Sequence, residues 1–332
     1  MSSKTNRILL ILSIFFNFYL IALFNFSRMK HAFSNIKKKV SLPLSFLHSN
    51  QHSELAQLAS KKHLSLPADS HVGIVLMQTS HDKQFYSYPF RKADEYASEH
   101  NYTLLSSFYA PSLNRPAIWS RIPLLYSIIS ETLNTKVIDH PKYGRWLWSM
   151  DYDAAIMNKN LNLENHIFKR VEEERRAQNK VFTSTSPLAL TAFDTESVNI
   201  IMAKDCNGIN AGSFFIRADS EWSLKFLEAV WINNDASVPN IDIWQEQASM
   251  AELLRISEAK RTDAGIHSWN EKIDRMIVEL NIAESFYIVP QQWLNSYGFD
   301  GCGHKYQEGD LYMHFPGFHG LFDEYMEKHG TE

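Results

Sequence analysis

Cysteine is nearly absent from this chain: Cys206 and Cys302 are the only two in 332 residues. That excludes a disulfide framework and a cysteine-rich zinc site, and leaves room for a single lumenal bridge between the two. An excess of positive charge is missing as well. The formal net charge is -4 and the pI is near 6.4. No basic stripe lies beyond the N-terminal segment, which argues against a nucleic-acid partner. Apolar matter is plentiful. Hydrophobic residues make up 45% of the chain and aromatics 13%, with eight tryptophans. That is enough to build the core of one large domain or two modest ones, and it suits both plain packing and a carbohydrate-handling cleft.

The long apolar run comes first. Ile8 to Phe26 is interrupted only by Ser13, Asn17 and Asn25, and as a helix it would reach roughly 28 Å, about one hydrocarbon core. It exceeds a usual signal-peptide apolar region, and no small-x-small cleavage site precedes Arg28, so the run reads as an uncleaved anchor. Its flanks, Lys4 and Arg7 before and Arg28, Lys30 and Lys37 to Lys39 after, do not fix its orientation. The following stretch is polar, basic and rich in Ser, His and Lys, the composition of a stem. The expected organisation is a tail (1–7), a membrane anchor (8–26), a stem (27–70) and one folded domain (71–332).

Within the domain, VGIVLMQ (Val72 to Gln78) is a buried-strand pattern, followed by a polar helix near Phe90 to His100 and a strand from Thr103. Strand, helix, strand opens a parallel sheet. Asn101-Tyr102-Thr103 is a glycosylation sequon, usable only on the lumenal side of a membrane; Asn25-Phe26-Ser27 also matches but lies too close to the bilayer. Trp119 to Leu133 reads as a helix interrupted at Pro123. Glu164 to Lys180 reads as a charged, solvated helix with Glu172 and Arg176 spaced to pair. VFTSTS and VNIIMAKD read as short strands. In the stretch Asp205 to Trp231, a tight turn at Gly208 leads to the small residues Ala211 and Gly212, a strand from Ser213 to Ile216 and a helix capped near Asp219 or Ser220. Asp242 to Ile256 is a helical pattern with Glu246 and Gln247 in its first turns, and residues 258–274 read as irregular. FYIVP is a strand ending at Pro290, and Asp310 and His314 stand on either side of a strand-like LYM.

The stretch that organises the rest is RWLWSMDYDAAIMN, Arg145 to Asn158. It drives a continuous bulky run, the mark of a strand buried on both faces, into two carboxylates, Asp151 and Asp153. In open α/β sheets ligands gather outside the carboxyl ends of such strands. Two acids one residue apart on a turning backbone can share a hard cation, and such a cation suits the diphosphate of a nucleotide-sugar. Small residues such as Ala211 and Gly212 let a ligand approach the backbone closely.

Taken in order, the stretch from Tyr96 to Tyr102, WSRIPLL from Trp119, RWLWSMDYDAAIMN, DCNGINAGSFFIR, WQEQA from Trp244, VPQQWLNSY from Val289 and GDLYMHFPG resemble one family. It is the fungal α-1,2-galactosyltransferase and mannan α-1,6-mannosyltransferase family, which also holds the plant xyloglucan xylosyltransferases. The likeness covers about Val72 to Gly317. It implies an α/β protein of GT-A type, a single Rossmann-like domain with a mixed central sheet flanked by helices, carried lumenally by a single-pass type II Golgi membrane protein, the endoplasmic reticulum being the alternative compartment. It also implies a retaining transferase that uses Mn²⁺ and UDP-galactose and acts on mannose-containing glycans of glycoproteins, alone or in homo- or hetero-oligomers with other Golgi glycosyltransferases.

By position, Asp151, Asp153 and His314 are implied as metal ligands. An imidazole with two carboxylates suits Mn²⁺ better than Ca²⁺. Asn207, Asn210 and Gly212 fall where relatives line the sugar pocket. Glu246 and Gln247 match an acid-Gln pair near the reacting sugar and acceptor, with Glu246 assisting the acceptor hydroxyl. Two positions depart from the family pattern. His319 stands where relatives place a pyrophosphate-binding Lys, and Gln245 stands where some carry a second acid. The competing readings are the same chemistry with GDP-mannose, a non-catalytic subunit of a mannan-synthesising complex, and a metal phosphoesterase.

Overall fold

The computed structural model describes Leu55, Leu58 and residues 64–78, 83–108, 115–135, 141–185, 198–262, 264–301 and 303–329. The apolar run at 8–26, read as an anchor, lies outside the described residues. A six-stranded mixed sheet forms the frame. Its strands are β1 (Val72–Gln78), β2 (Thr103–Phe108), β3 (Trp146–Met150), β5 (Ile200–Asp205), β6 (Gly208–Arg217) and β7 (Phe286–Val289), in the order β2-β1-β3-β6-β5-β7. Neighbours β2, β1 and β3 run parallel, β6 is antiparallel to both β3 and β5, and β7 is parallel to β5. The mixed sheet expected from the family likeness is therefore present.

Side-chain alternation explains why these segments are strands and why both faces are covered. Along β1, Val75 and Met77 enter one apolar cluster while Val72, Ile74 and Leu76 enter the other. Along β3, Leu147 faces the first cluster and Trp146, Trp148 and Met150 the second. The first cluster is completed by α2 (Arg121–Leu133), α4 (Glu221–Ile232) and α5 (Ile241–Arg261), with Ile128, Phe226 and Leu253 fully buried. The second is completed by α1 (Lys83–His100) and α3 (Lys169–Thr185) and is aromatic, with Trp148 stacked on Phe215 at 5.3 Å between ring centroids. Leu55, Leu58 and Leu66 belong to the first cluster, and the Arg145 guanidinium donates to the Leu66 carbonyl at 2.7 Å. The folded unit thus takes in the end of the segment that composition reads as stem.

A second, three-stranded sheet positions the site. It is built from β4 (Ala154–Ile156), β8 (Ser296–Tyr297) and β9 (Tyr312–His314) in the order β4-β9-β8. β4 and β9 are antiparallel, and their register sets Ala154 opposite His314.

Four sequence expectations need correction. Pro123 does not interrupt a helix: it is the third residue of α2, where its missing N–H has no intrahelical partner to lose. α1 begins at Lys83 and runs through Pro89, with Tyr88, Ala93, Tyr96 and Ala97 buried; that packing offsets a proline cost of about 3 kcal/mol. Residues 181–185, the start of VFTSTS, continue α3 as helix although β-branched and aromatic residues favour strands. Residues 258–274 are also more ordered than expected, since α5 reaches Arg261 and α6 (Glu271–Leu280) begins with Asn270 accepting from the Lys272 N–H at 2.8 Å. The Glu172–Arg176 pair forms as its spacing implies.

Candidate active site

β3 ends at Met150, and Asp151 keeps the sheet going by one bond, its N–H donating to the Gly212 carbonyl at 2.8 Å. The chain then turns and enters β4, with the Phe315 N–H donating to the Asp153 carbonyl at 2.9 Å. Both aspartates are thereby carried to the carboxyl end of β3, and the β4–β9 register delivers His314 to meet them. His314 Nε2 lies 3.2 Å from Asp153 Oδ1 and 3.6 Å from Asp151 Oδ2. One potential ligand atom from each of the three lies within 4.8 Å of the others. Sequence separates Asp153 from His314 widely; strand pairing makes them neighbours.

Each group is oriented from behind. His314 Nδ1 is 2.9 Å from the Asn295 side-chain oxygen, an acceptor that suits the tautomer with its proton on Nδ1, which turns the Nε2 lone pair to the carboxylates. His314 is 1% exposed and its Nε2 has no hydrogen-bond partner. A buried imidazole nitrogen left unpaired beside two carboxylates is what a metal ligand requires. Asp151 spends Oδ1 on Arg121 and turns Oδ2 to the histidine, while Asp153 turns Oδ1 inward and Oδ2 toward the Gly317 N–H at 3.4 Å. The residues fit a divalent cation.

Gly212 is needed here for space. A Cβ added to it would sit 2.7 Å from Nδ1 and 2.9 Å from Nε2 of His314, inside van der Waals contact. Gly212→Ala is expected to push the ring out of register and weaken divalent-cation binding by about 10- to 100-fold, the range for displacing a metal ligand's support. Titration of the variant with a divalent cation, read by the shift in unfolding temperature, checks this. Combining it with His314→Ala should cost no more than His314→Ala alone, because the two changes strike one contact.

Asp151 and Asp153 line a cleft of about 340 Å³ together with Ile118, Arg121 and residues 243–247. Arg121 is its single cationic side chain among the described lining residues. The guanidinium is 3% exposed, donates to Asp151 Oδ1 and the Ala211 carbonyl, and stands 3.7 Å from Glu246 Oε1. Glu246 is 2% exposed and its Oε2 has no partner. Burial pushes its carboxyl up to about 7, with Arg121 pulling the other way. The backbone explains how an acid comes to be turned inward. Gln245 adopts φ 52°, ψ −124° and breaks α5, a conformation that costs a non-glycine residue on the order of 1–3 kcal/mol. Its amide is pinned at both ends, accepting from Trp119 Nε1 at 3.0 Å and donating to the Asp242 carbonyl at 2.9 Å. Gln247 then accepts from the Ala211 N–H at 2.8 Å, tying the helix to β6.

The raised Glu246 value has a sign that can be tested. The folded protein holds this proton more tightly than the unfolded chain does, so the stability it lends is complete below the ordinary carboxyl range and is lost as pH rises through about 7. The full span is about 3 kcal/mol. Urea unfolding of chelator-treated protein between pH 5 and 8 should show this slope, and Glu246→Gln should remove that part of it; identical profiles would refute the burial effect.

Of the residues expected at the site, Asp151, Asp153, Gly212, Glu246 and Gln247 line the cleft, and His314 meets the two aspartates from β9. Asn207 and Asn210 are not among the residues lining it. Asn207 is exposed in the β5–β6 turn, where its N–H donates to Asp205 Oδ1 at 2.6 Å. Asn210 is buried behind the wall, with its Nδ2 2.9 Å from both Asp205 and the Tyr297 hydroxyl and its Oδ1 accepting from the Gly212 N–H at 2.8 Å. His319 opens α7 (His319–His329), and its side chain lies outside the described residues. Cys206 is disulfide-bonded; Cys302 lies outside the described residues. Arg121 and Asn295 were missed as site residues, although both lie in the family-like blocks. A lone arginine opening an otherwise apolar helix was the available signal, since a buried cation demands a partner.

The fold and site define an α/β protein with a cation-ready cleft at the carboxyl ends of its strands. The chain belongs to the galactosyl transferase GMA12/MNN10 family, whose signature matches residues 68–319. It is 26% identical to an uncharacterized α-1,2-galactosyltransferase of Schizosaccharomyces pombe over 67% of this chain and 53% of the relative. It is 25% identical to an α-1,2-galactosyltransferase of the same organism over 71% of this chain and 52% of the relative. A probable α-1,6-mannosyltransferase of Saccharomyces cerevisiae, MNN10, is 30% identical over 41% of this chain and 34% of that one. The chain thus spans about half the length of the α-1,2-galactosyltransferases it matches. Among solved structures, a glycosyltransferase involved in glycosylating the major capsid of PBCV-1 aligns over 77% of this chain and 98% of that one, with a TM-score of 0.49 at 16% identity.

Proposed function

We propose that this chain is a retaining α-galactosyltransferase of GT-A type, using UDP-galactose and Mn²⁺ to extend mannose-containing glycans from the lumenal face of the Golgi membrane. The observation that carries the reading is the unpaired Nε2 of buried His314 facing Asp151 and Asp153, which share a cleft with the buried Glu246. The names of the relatives support the choice of galactose.

In the reaction, the bond from the anomeric carbon to the UDP oxygen breaks and a bond from an acceptor hydroxyl oxygen to the same carbon forms, with the hydroxyl proton released. Asp151, Asp153 and His314 would hold the cation. The chemistry a bound divalent ion supplies is neutralisation of the charge that builds on the departing diphosphate. Arg121 fixes the Asp151 carboxylate while leaving its second oxygen to the site. Glu246, poised near 7, can accept a hydrogen bond or the proton from the acceptor hydroxyl.

A second reading, mannosyl transfer from GDP-mannose, is favoured by the 30% identity to the yeast mannosyltransferase, because the acid doublet addresses the diphosphate and not the sugar. Incubation with Mn²⁺, a mannose-terminated acceptor and labelled nucleotide-sugars separates the two readings. Label from UDP-galactose supports the proposal, and label from GDP-mannose the second reading. Absence of transfer from any donor would indicate a non-catalytic subunit. Phosphate release without transfer would indicate a phosphoesterase.

A further inference from the structure

We propose that Asn101 carries an N-linked glycan, displayed at the end of the sheet remote from the cleft; this rests on the lumenal placement in the functional proposal. Asn101 is exposed and occupies the turn between α1 and β2 with φ 58°. The Tyr102 N–H donates to the Ala97 carbonyl at 2.9 Å, the six-to-one bond that closes a helix through a left-handed residue. Asparagine tolerates that conformation, and its amide makes no hydrogen bond among the described residues, so nothing competes for its nitrogen. The other two sequon residues are fixed by folding. Tyr102 is buried, stacks on His100 at 5.4 Å and donates to Glu164 at 2.6 Å, and Thr103 opens β2. The side chain to be modified is thus the one the fold leaves in water.

A second observation points to the same compartment. Cys206 is disulfide-bonded, and disulfides persist where the environment is oxidising, as in the secretory lumen. The modification needs an oligosaccharide-diphosphate carrier: the Asn101 Nδ2 bonds to the anomeric carbon, the bond from that carbon to the diphosphate oxygen breaks, and Nδ2 gives up one proton.

The place is compatible with transfer. Thr103 pairs with Gly73, which pairs with Leu147, so Asn101 is level with Arg145 and Asp151 lies six residues further along. At roughly 3.3 Å per residue, the glycan stands on the order of 20 Å from the acids along the strands. It also sits beside β2, the edge strand, where a bulky hydrophilic group hinders edge-to-edge pairing.

The test expresses the full chain in a eukaryotic secretory host and reads gel mobility before and after amidase removal of N-glycans. Asn101→Gly keeps the left-handed backbone and Thr103→Ala spoils the sequon without touching the asparagine. Asp235→Asn serves as a lumenal control, since it completes an Asn-Ala-Ser sequence at 235–237 and preserves the side-chain oxygen that accepts from the Ser237 N–H at 2.8 Å. The expected result is one amidase-sensitive shift in the wild type, absent from both Asn101→Gly and Thr103→Ala, with transfer by Asn101→Gly within about two-fold of wild type. A shift that survives Asn101→Gly overturns the assignment. A shift in Asp235→Asn but none in the wild type overturns it while leaving the lumenal placement intact. No shift in either, with the domain digested by protease added to sealed vesicles, overturns the lumenal placement and the glycan with it.

Discussion

Asp153→Ala is expected to lower sugar transfer by about 10³-fold, some 4 kcal/mol of transition-state stabilisation, within the several kcal/mol a bound cation contributes. Its effect on the metal-free fold should run the other way. Asp153 is 5% exposed and shares with Asp151 the space in front of His314. Like charges held together in a poorly solvated site repel. Removing one acid therefore leaves the chelator-treated protein as stable as wild type or more so. Added Mn²⁺ should raise the unfolding temperature of the wild type and not of the variant, since a ligand stabilises only the state that binds it. An ordinary turn acid would give the opposite pattern: lower stability in both conditions and activity close to wild type.

Arg121→Leu is expected to destabilise the fold by about 3–5 kcal/mol, the cost of stripping the partner from a buried charge pair. The guanidinium serves Asp151, the Ala211 carbonyl and Glu246 at once, and the planar fork of arginine is what reaches three acceptors. Arg121→Lys should therefore recover little of the loss. Because the stranded Glu246 is costly only when ionised, the loss should be greater at pH 8 than at pH 5, and adding Glu246→Gln should return part of it. Denaturant unfolding of the two single variants and the double variant measures this. A loss under about 1 kcal/mol would mean that water reaches these groups and that the cleft wall is not the sealed structure described.

These two residues also mark what sequence could and could not disclose. Asp151 and Asp153 were legible because a buried strand running into an acid pair announces a site at a strand end. His314 was legible only through likeness to relatives, since nothing local distinguishes a histidine after LYM. What brings it to the acids is the register that pairs Ala154 with His314, a long-range fact. Arg121 stood in plain view in WSRIPLL, yet its role depends on β6 offering the Ala211 carbonyl across the cleft. Asn295 became visible only once its side chain was found behind the imidazole. Gly212 reads as room for a ligand, and the structure fills that room with the His314 ring. Among the elements, the strands of the core sheet followed from continuous apolar runs. The errors came from local rules applied without position: Pro123 lies in the first turn of its helix, where proline is tolerated, and residues 181–185 extend a helix already nucleated upstream.

The break at Gln245 links strain to chemistry. A continuous helix would rotate the residues after it; the left-handed residue, held by Trp119, turns Glu246 into the wall beside Arg121. The acid is thereby kept dry enough to titrate near 7, in the range useful to a group that exchanges hydrogen bonds with a hydroxyl.

Titration of Mn²⁺ into the folded domain in the presence of UDP, followed by the paramagnetic resonance of the free ion, tests most directly whether the acid doublet and the C-terminal histidine hold one cation. One tightly bound ion per wild-type chain is predicted, with binding lost from Asp151→Ala, Asp153→Ala and His314→Ala at the same concentrations. Equal uptake of Mn²⁺ by the wild type and His314→Ala would contradict it.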